Sequence, residues 1–463
     1  MRTVAEAFGT RRDALRLGGI GLASAAVDGL LPRRVSGAPR VTPRGTARNV
    51  LFYEINGAIS HLESWDFKEN PGTPPDLRVT EHLKGLYLSE KLFPRFREQI
   101  DHFAILRTLL SHEEVHFRGQ TYVQTGRPLN LAFASEIPAI GSVVAMELEP
   151  SRRDADTFPT YMSFNLEKAF PGALSTGFLD PRFSVVDINP ELAGQGVSLD
   201  EPAIRLVEER WRLLEKLRNA QRDRLDGFER RMASYESFYD AAHRLVSDHR
   251  WARAFKINGQ DRERYGETDV GTSCILARNV LAADAGTRYV HICHPGWDHH
   301  KYIWDASKET NHYKLCAEFD RAFSALVADL AGTPSAGDPS RSVLDDTLVV
   351  AMSEFGRTPG ALNNLEGRDH YNKVFPALFA GAGVRPGVIL GETDKDGAQC
   401  VRTGWHRNEQ PRIENVVSTI YSALGIDWSK KIHDTPSRRT YAYVDELGAP
   451  GWIPTDEISS LYG

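Results

Sequence analysis

The sequence predicts an α/β fold: a largely parallel sheet with helices on both faces and an inserted helical hairpin. Three observations predict it. Short, largely apolar runs recur at Val50–Ile55, Phe103–Leu106, Tyr289–Cys293, Thr347–Met352 and Phe375–Phe379. Strands of that composition belong to sheets covered on both sides. Helix-like stretches at Tyr313–Leu330 and Ile413–Leu424 lie between or after them, and such alternation argues parallel strands joined by helices. In Glu201–Arg250, Ile204, Val207, Trp211 and Leu214, then Leu225, Phe228, Met232, Tyr235 and Tyr239, step by three and four. That is an amphipathic helix pair packed on the core of a domain spanning residues 41–463.

The chain has 463 residues, enough to bury a large core. A net charge of −6, with no basic run interleaved with aromatics, disfavours nucleic acid as a partner. Four cysteines are too few for a disulfide scaffold and show no zinc-finger spacing. Residues 1–40 read as an export leader. Arg11-Arg12 precede the apolar, Gly/Ala-rich run Gly18–Ala26, the layout of a twin-arginine signal. That run is too short to span a bilayer, so no stable membrane span is expected once the signal is removed. The expected location is the periplasm or the extracellular space.

Chemistry-bearing residues gather where strands end. After Tyr289–Cys293 and a Pro-Gly turn come Asp298, His299 and His300, the ligand types a zinc, iron or manganese ion takes. After Thr347–Met352 come Glu354 and Arg357, and ten residues on Arg368, Asp369 and His370. Early in the chain, Ser60-His61-Leu62-Glu63 follows the first strand. His112 and His116 follow Phe103–Leu109, just before a helix expected over Gly119–Thr125. A helix start there would favour an anion through its free N–H groups.

The order of these pieces resembles the alkaline phosphatase and sulfatase superfamily. Asp345–Gly356 follows that superfamily's D-N-T-L-V-V-x-T-S-D-H-G strand, with Glu354 at the Asp and Phe355 at the His. His116–Arg127, ending Gln124-Thr125-Gly126-Arg127, resembles the sulfatase signature C-x-P-S-R-x-x-L-L-T-G-R. Within the superfamily the chain is most similar to an exported family defined as a domain of unknown function. Ser60–Asp66, Gln124-Thr125-Gly126 after two histidines, Gly296–His300, Glu354–Pro359, Gly367–His370 and Gly391–Asp394 match its motifs in order. The resemblance covers nearly everything after residue 45 and implies an alkaline-phosphatase-like fold.

Departures from the pattern shape the expected site. His116 falls where a sulfatase carries its catalytic Cys or Ser, and reads as a ligand or a nucleophile. Asn56-Gly57 stands where an Asp pair usually ends the first strand, with His61 and Glu63 as substitutes. His370 could compensate for Phe355. The expected ligand set is therefore His61, Glu63, His112, His116, Asp298, His299, His300, Glu354, Asp369 and His370, with His299 and His300 competing for one place. Its imidazole content points to zinc, manganese or iron over calcium. The expected activity is metal-dependent hydrolysis of phosphate or sulfate esters, on a small-molecule or glycan substrate. Water activated at the metal would attack, and Arg357 or Arg368 would clamp the anion. The alternative is a non-enzymatic exported protein with a structural metal, binding glycans or envelope partners.

Overall fold

In a computed structural model, residues 41–169, 175–194, 247–433, 435–445 and 455–463 are described, with scattered positions between 205 and 245. The expected leader lies outside the described residues, and so does most of the expected helical hairpin. Eight strands form one sheet: β1 (Asn49–Ile55), β2 (Phe103–Leu109), β3 (Tyr161–Phe164), β4 (Val186–Ile188), β5 (Tyr289–His294), β6 (Thr347–Met352), β7 (Phe375–Ala380) and β8 (Val388–Leu390). They lie in the order β8-β2-β7-β6-β1-β5-β3-β4. Neighbours pair in parallel everywhere except at β7, which runs antiparallel to both β2 and β6. The α/β fold with a mostly parallel sheet is the one expected. Strands β3, β4 and β8 carry no strong sequence signal because each is only three or four residues long.

Alternate residues of the strands feed two cores, one on each face of the sheet. Leu51 and Tyr53 of β1, Val290 and Ile292 of β5 and Val349 of β6 pack on one side. Against them lie Cys274 and Leu276 of helix Asp269–Ala282 and Phe319, Phe323 and Leu326 of helix His312–Gly332. The longer helix starts where the Asn311 side chain accepts from the Lys314 amide at 3.1 Å, and its apolar positions recur every three or four residues. On the other face, Val50, Phe52, Leu348 and Val350 meet Tyr122, Val143, Val416 and Ile420, from helices α1 (His116–Thr125), Ile140–Leu148 and Ile413–Ala423. No helix among the described residues is long and apolar enough to cross a membrane.

This topology places the site. β1, β5 and β6 are adjacent and parallel, so their carboxyl ends deliver Asn56-Gly57, Asp298–His300 and Glu354 to one rim. His370 arrives by another route. It precedes β7, and because β7 is reversed its amino end lies at that same rim.

Candidate metal centre

Four side chains converge at the rim. One donor atom each from His116, Asp298, His300 and His370 lies within 4.8 Å of all the others. Asp298 Oδ1 is the hub, 3.0 Å from His116 Nε2, 3.2 Å from His300 Nε2 and 3.6 Å from His370 Nε2. The Nε2 atoms of His300 and His370 are 2.8 Å apart.

The outer nitrogen of every ring is held. His116 Nδ1 lies 2.6 Å from Glu354 Oε1, His300 Nδ1 lies 2.9 Å from Asp369 Oδ1, and His370 Nδ1 donates to the Glu114 carbonyl. An acceptor at each Nδ1 puts the proton there and leaves a lone pair on each Nε2, the arrangement that orients imidazole toward a metal. Two such lone pairs face each other between His300 and His370, a contact that a cation or a shared proton must bridge. Bonds of about 2.0–2.1 Å at tetrahedral angles place ligand atoms roughly 3.3 Å apart, close to the observed spacing. Three nitrogens and one carboxylate oxygen suit zinc, iron or manganese, whereas calcium takes six to eight oxygens. The residues present therefore fit a divalent transition metal.

Without a cation, a proton serves. Burial opposes protonation of His116, but its hydrogen bonds to Asp298 and Glu354 prevail and raise its pKa to about 9. Burial likewise opposes ionisation of Asp298, yet the hydrogen bonds from protonated His116 and from Arg357 hold its carboxyl far below the usual range.

Several positions exist only because the chain packs closely. Glu354 is buried and accepts the Gly57 amide at 3.0 and 3.2 Å. Gly57 has φ +105, and a Cβ on it would lie 2.7 Å from the Asp298 amide nitrogen. A side chain there would push apart the β1 and β5 loops. Phe355 packs its buried ring on His116 and His370, with centroids 5.0 and 4.8 Å away, so at the position of the expected ligand it forms a wall.

Other expected residues lie elsewhere. His61 is fully buried and directs Nε2 at the Gly397 carbonyl, 2.8 Å away, while burial lowers its pKa. Glu63 is tied to Ser60 and, at 2.6 Å, to Arg368. His112 packs on Tyr122 with ring centroids 5.8 Å apart, outside the cluster. His299 turns inward toward His312, and burial, with His312 and Arg357 nearby, pushes its pKa down to about 3. Glu354 and Asp369 act behind the imidazoles, each on an Nδ1 atom.

The two arginines do not stand free to clamp an anion. Arg368 is fully buried, with both Nη atoms held by Glu63, Asn70 Oδ1 and the carbonyls of Thr358 and Gly360. Arg357 is buried too. It donates to the carbonyls of Gly57, Ala58 and Arg368, and its Nη2 reaches Asp298 Oδ1 at 2.6 Å. It holds the hub carboxylate in place.

Sequence reasoning missed the layer beneath. Glu54 Oε2 lies 2.9 Å from His291 Nε2 and accepts Gln124 Nε2 at 2.8 Å, while its Oε1 accepts Asn56 Nδ2 at 2.8 Å. All four are buried. The available signal was a carboxylate and an imidazole inside apolar strand runs, since charge in a core is almost always paired.

Residues 47–442 match the family model described as "Protein of unknown function (DUF1501)". The chain belongs to the DUF1501 family. The six ordered motifs read from the sequence all fall in the span that the DUF1501 model matches. No curated protein matches the chain. Similar solved structures include a protein in the alkaline phosphatase superfamily from Vibrio parahaemolyticus, at 9% identity over 89% of this chain and 87% of that one, TM-score 0.37. Another is a phosphonate monoester hydrolase from Silicibacter pomeroyi, at 12% identity over 83% and 74%, TM-score 0.39. A third is the C-terminal periplasmic domain of EcEptC from Escherichia coli in complex with Zn, at 9% identity over 92% of both chains, TM-score 0.38.

Proposed function

We propose that the protein is an exported hydrolase of phosphate or sulfate esters. In this reading His116, Asp298, His300 and His370 hold a divalent transition metal: zinc, manganese or iron. One observation carries it. Three imidazoles, each pinned through Nδ1, turn their Nε2 lone pairs toward one carboxylate at the carboxyl ends of parallel strands. A bound divalent ion would supply positive charge for an anionic ester and make water more acidic at neutral pH.

The chain's own groups have separate tasks. Glu354 and Asp369 fix the tautomers of His116 and His300. Arg357 fixes Asp298. Helix α1 begins at His116 with no side-chain cap, so its positive end faces the cluster and favours an anion there. The side chains of Asp298 and His300 are 45% and 39% exposed, so solute can reach the site. That exposure favours the enzyme over a purely structural metal, which is usually closed off.

Elemental analysis of protein purified without chelator should find a stoichiometric transition metal, and His116→Ala should lower metal and turnover together. A panel of aryl phosphates and sulfates then tests the chemistry. A metal-free protein, or a metal-loaded one inert on the whole panel, would sink the reading. Export through Arg11-Arg12 is tested separately, by changing both to Lys and fractionating cells; undiminished export would refute it.

A further inference from the structure

We propose that Tyr302 and Leu365 form a specificity ridge beside the candidate centre, which takes a ring with an apolar face in the organic part of the ester. This rests on the ester reading above and adds a substrate class to it. Of the ten large apolar or aromatic side chains exposed among the described residues, four are Val115, Phe117, Tyr302 and Leu365. The first two flank His116 in the chain. The other two sit on a loop pair joined to His300. Val115, Phe117 and Tyr302 stand within two residues of a cluster histidine and Leu365 is hydrogen-bonded to Tyr302, and exposed apolar groups that flank a site mark a binding surface.

The ridge is built rigidly. The Tyr302 amide donates to the Leu365 carbonyl and the Ile303 amide to the Glu366 carbonyl, both at 2.9 Å. Asn363 ties this turn to the centre. Its Nδ2 donates to the His300 carbonyl at 3.0 Å and to Asp369 Oδ1 at 3.1 Å, while its Oδ1 accepts the amides of Leu365 and Gly367. A Cβ on Gly367 would lie 2.1 Å from the His300 carbonyl carbon, so the turn rests directly on that backbone. The carboxylate that holds His300 and the turn that carries Leu365 thus share one amide side chain.

Tyr302 also adopts a costly conformation. Its φ is +53, in the left-handed region that a tyrosine rarely enters. Its side chain is nevertheless exposed, with the Lys308 ammonium 4.7 Å from the ring centroid. A strained backbone that leaves the ring partly open to solvent beside Lys308 points to a ligand for the ring. The shared chemistry is a flat apolar ring face, which an aryl group and a pyranose both offer.

The test is calorimetric binding to the protein as purified, metal included. The probes are inorganic phosphate, inorganic sulfate, ethylphosphonate, phenylphosphonate and a glucosylmethylphosphonate. At least one ring ligand should bind about tenfold tighter than ethylphosphonate, and the one that does identifies the source of the ring. Tyr302→Gly should lose that advantage, keep the phosphate affinity and keep or raise Tm, because glycine accepts the positive φ. Tyr302→Phe should retain the advantage. No ring advantage in the wild type, an advantage that survives Tyr302→Gly, or a Tm that falls in that variant would each overturn the ridge. Failure to bind both inorganic phosphate and inorganic sulfate would sink the ester reading itself, and the ridge with it.

Discussion

Glu354 and His116 lie 238 positions apart and meet at 2.6 Å because of a third residue. Gly119 sits one turn after His116 in α1, with the Glu354 side chain against its Cα. A Cβ there would stand 3.0 Å from both Cβ and Cγ of Glu354 and 3.1 Å from the Phe355 ring. The helix can approach the end of β6 closely enough to present His116 only where it has no side chain.

Gly119→Ala is therefore expected to cost metal. Alanine favours an isolated helix by about 1 kcal/mol. Glu354 and Phe355 are both fully buried and have little room to yield, and overpacking of this kind costs about 1–3 kcal/mol. The backbone of α1 should shift and carry His116 away from Asp298. Metal affinity, by chelator competition, should fall about tenfold or more while the circular dichroism spectrum is kept. Unchanged affinity would show that the contact is slack.

Asp298 and Arg368 should separate function from folding. Asp298 is half exposed and is the hub of the cluster, and Asp298→Asn keeps an oxygen for Arg357, so it should abolish stoichiometric metal and leave Tm within a few degrees of that of the metal-free wild type. Arg368 and Glu63 are both fully buried and paired at 2.6 Å. Arg368→Met strands a buried carboxylate, and breaking such a pair costs about 3–5 kcal/mol. Urea denaturation measures both effects. A stable Arg368→Met protein that loses metal would place Arg368 in the site's function and not in the fold.

The fold was legible because its central strands are apolar on both faces, a pattern that survives without knowledge of partners. The rim was legible for the same reason, since Asp298 and Glu354 follow such strands directly. Side-chain direction was not. Asp298 and His300 share the cluster while His299 turns into the core, and in a loop neighbouring side chains can point either way, so no local pattern tells the two histidines apart. His370 reached the site by a reversed strand, and sequence alternation carries no sign of strand direction. The Arg368–Glu63 pair joins residues 305 positions apart, and no local pattern encodes such a meeting.

Metal binding should strengthen as pH rises. In the metal-free arrangement His116 holds its proton up to about pH 9, and that proton must leave before Nε2 can serve a cation. Below that value each unit of pH should raise the apparent affinity about tenfold for this one proton. Competition titrations at pH 7, 8 and 9 would measure the slope. A flat profile would mean that His116 is not a ligand.

Glu414, which bonds Tyr122 of α1 and lies outside the cluster, gives a separate pH-dependent stability term. It lies in the first turn of helix Ile413–Ala423, fully buried, and accepts from the Tyr122 hydroxyl. Burial raises its pKa from the usual 4.5 to about 7, despite the opposing Tyr122 hydrogen bond. A folded-state pKa above the unfolded one means that the native protein holds the proton more tightly. This contribution is therefore complete below about pH 4.5 and is lost as pH climbs to about 7, a change on the order of 3 kcal/mol. Other groups titrate over the same window, so the readout is a difference between two proteins. Glu414→Gln keeps an acceptor for Tyr122 and cannot ionise. Its unfolding free energy minus that of the wild type should grow by that amount between pH 4.5 and 7. A difference that stays constant across the window would mean that Glu414 is solvated or compensated in the folded chain.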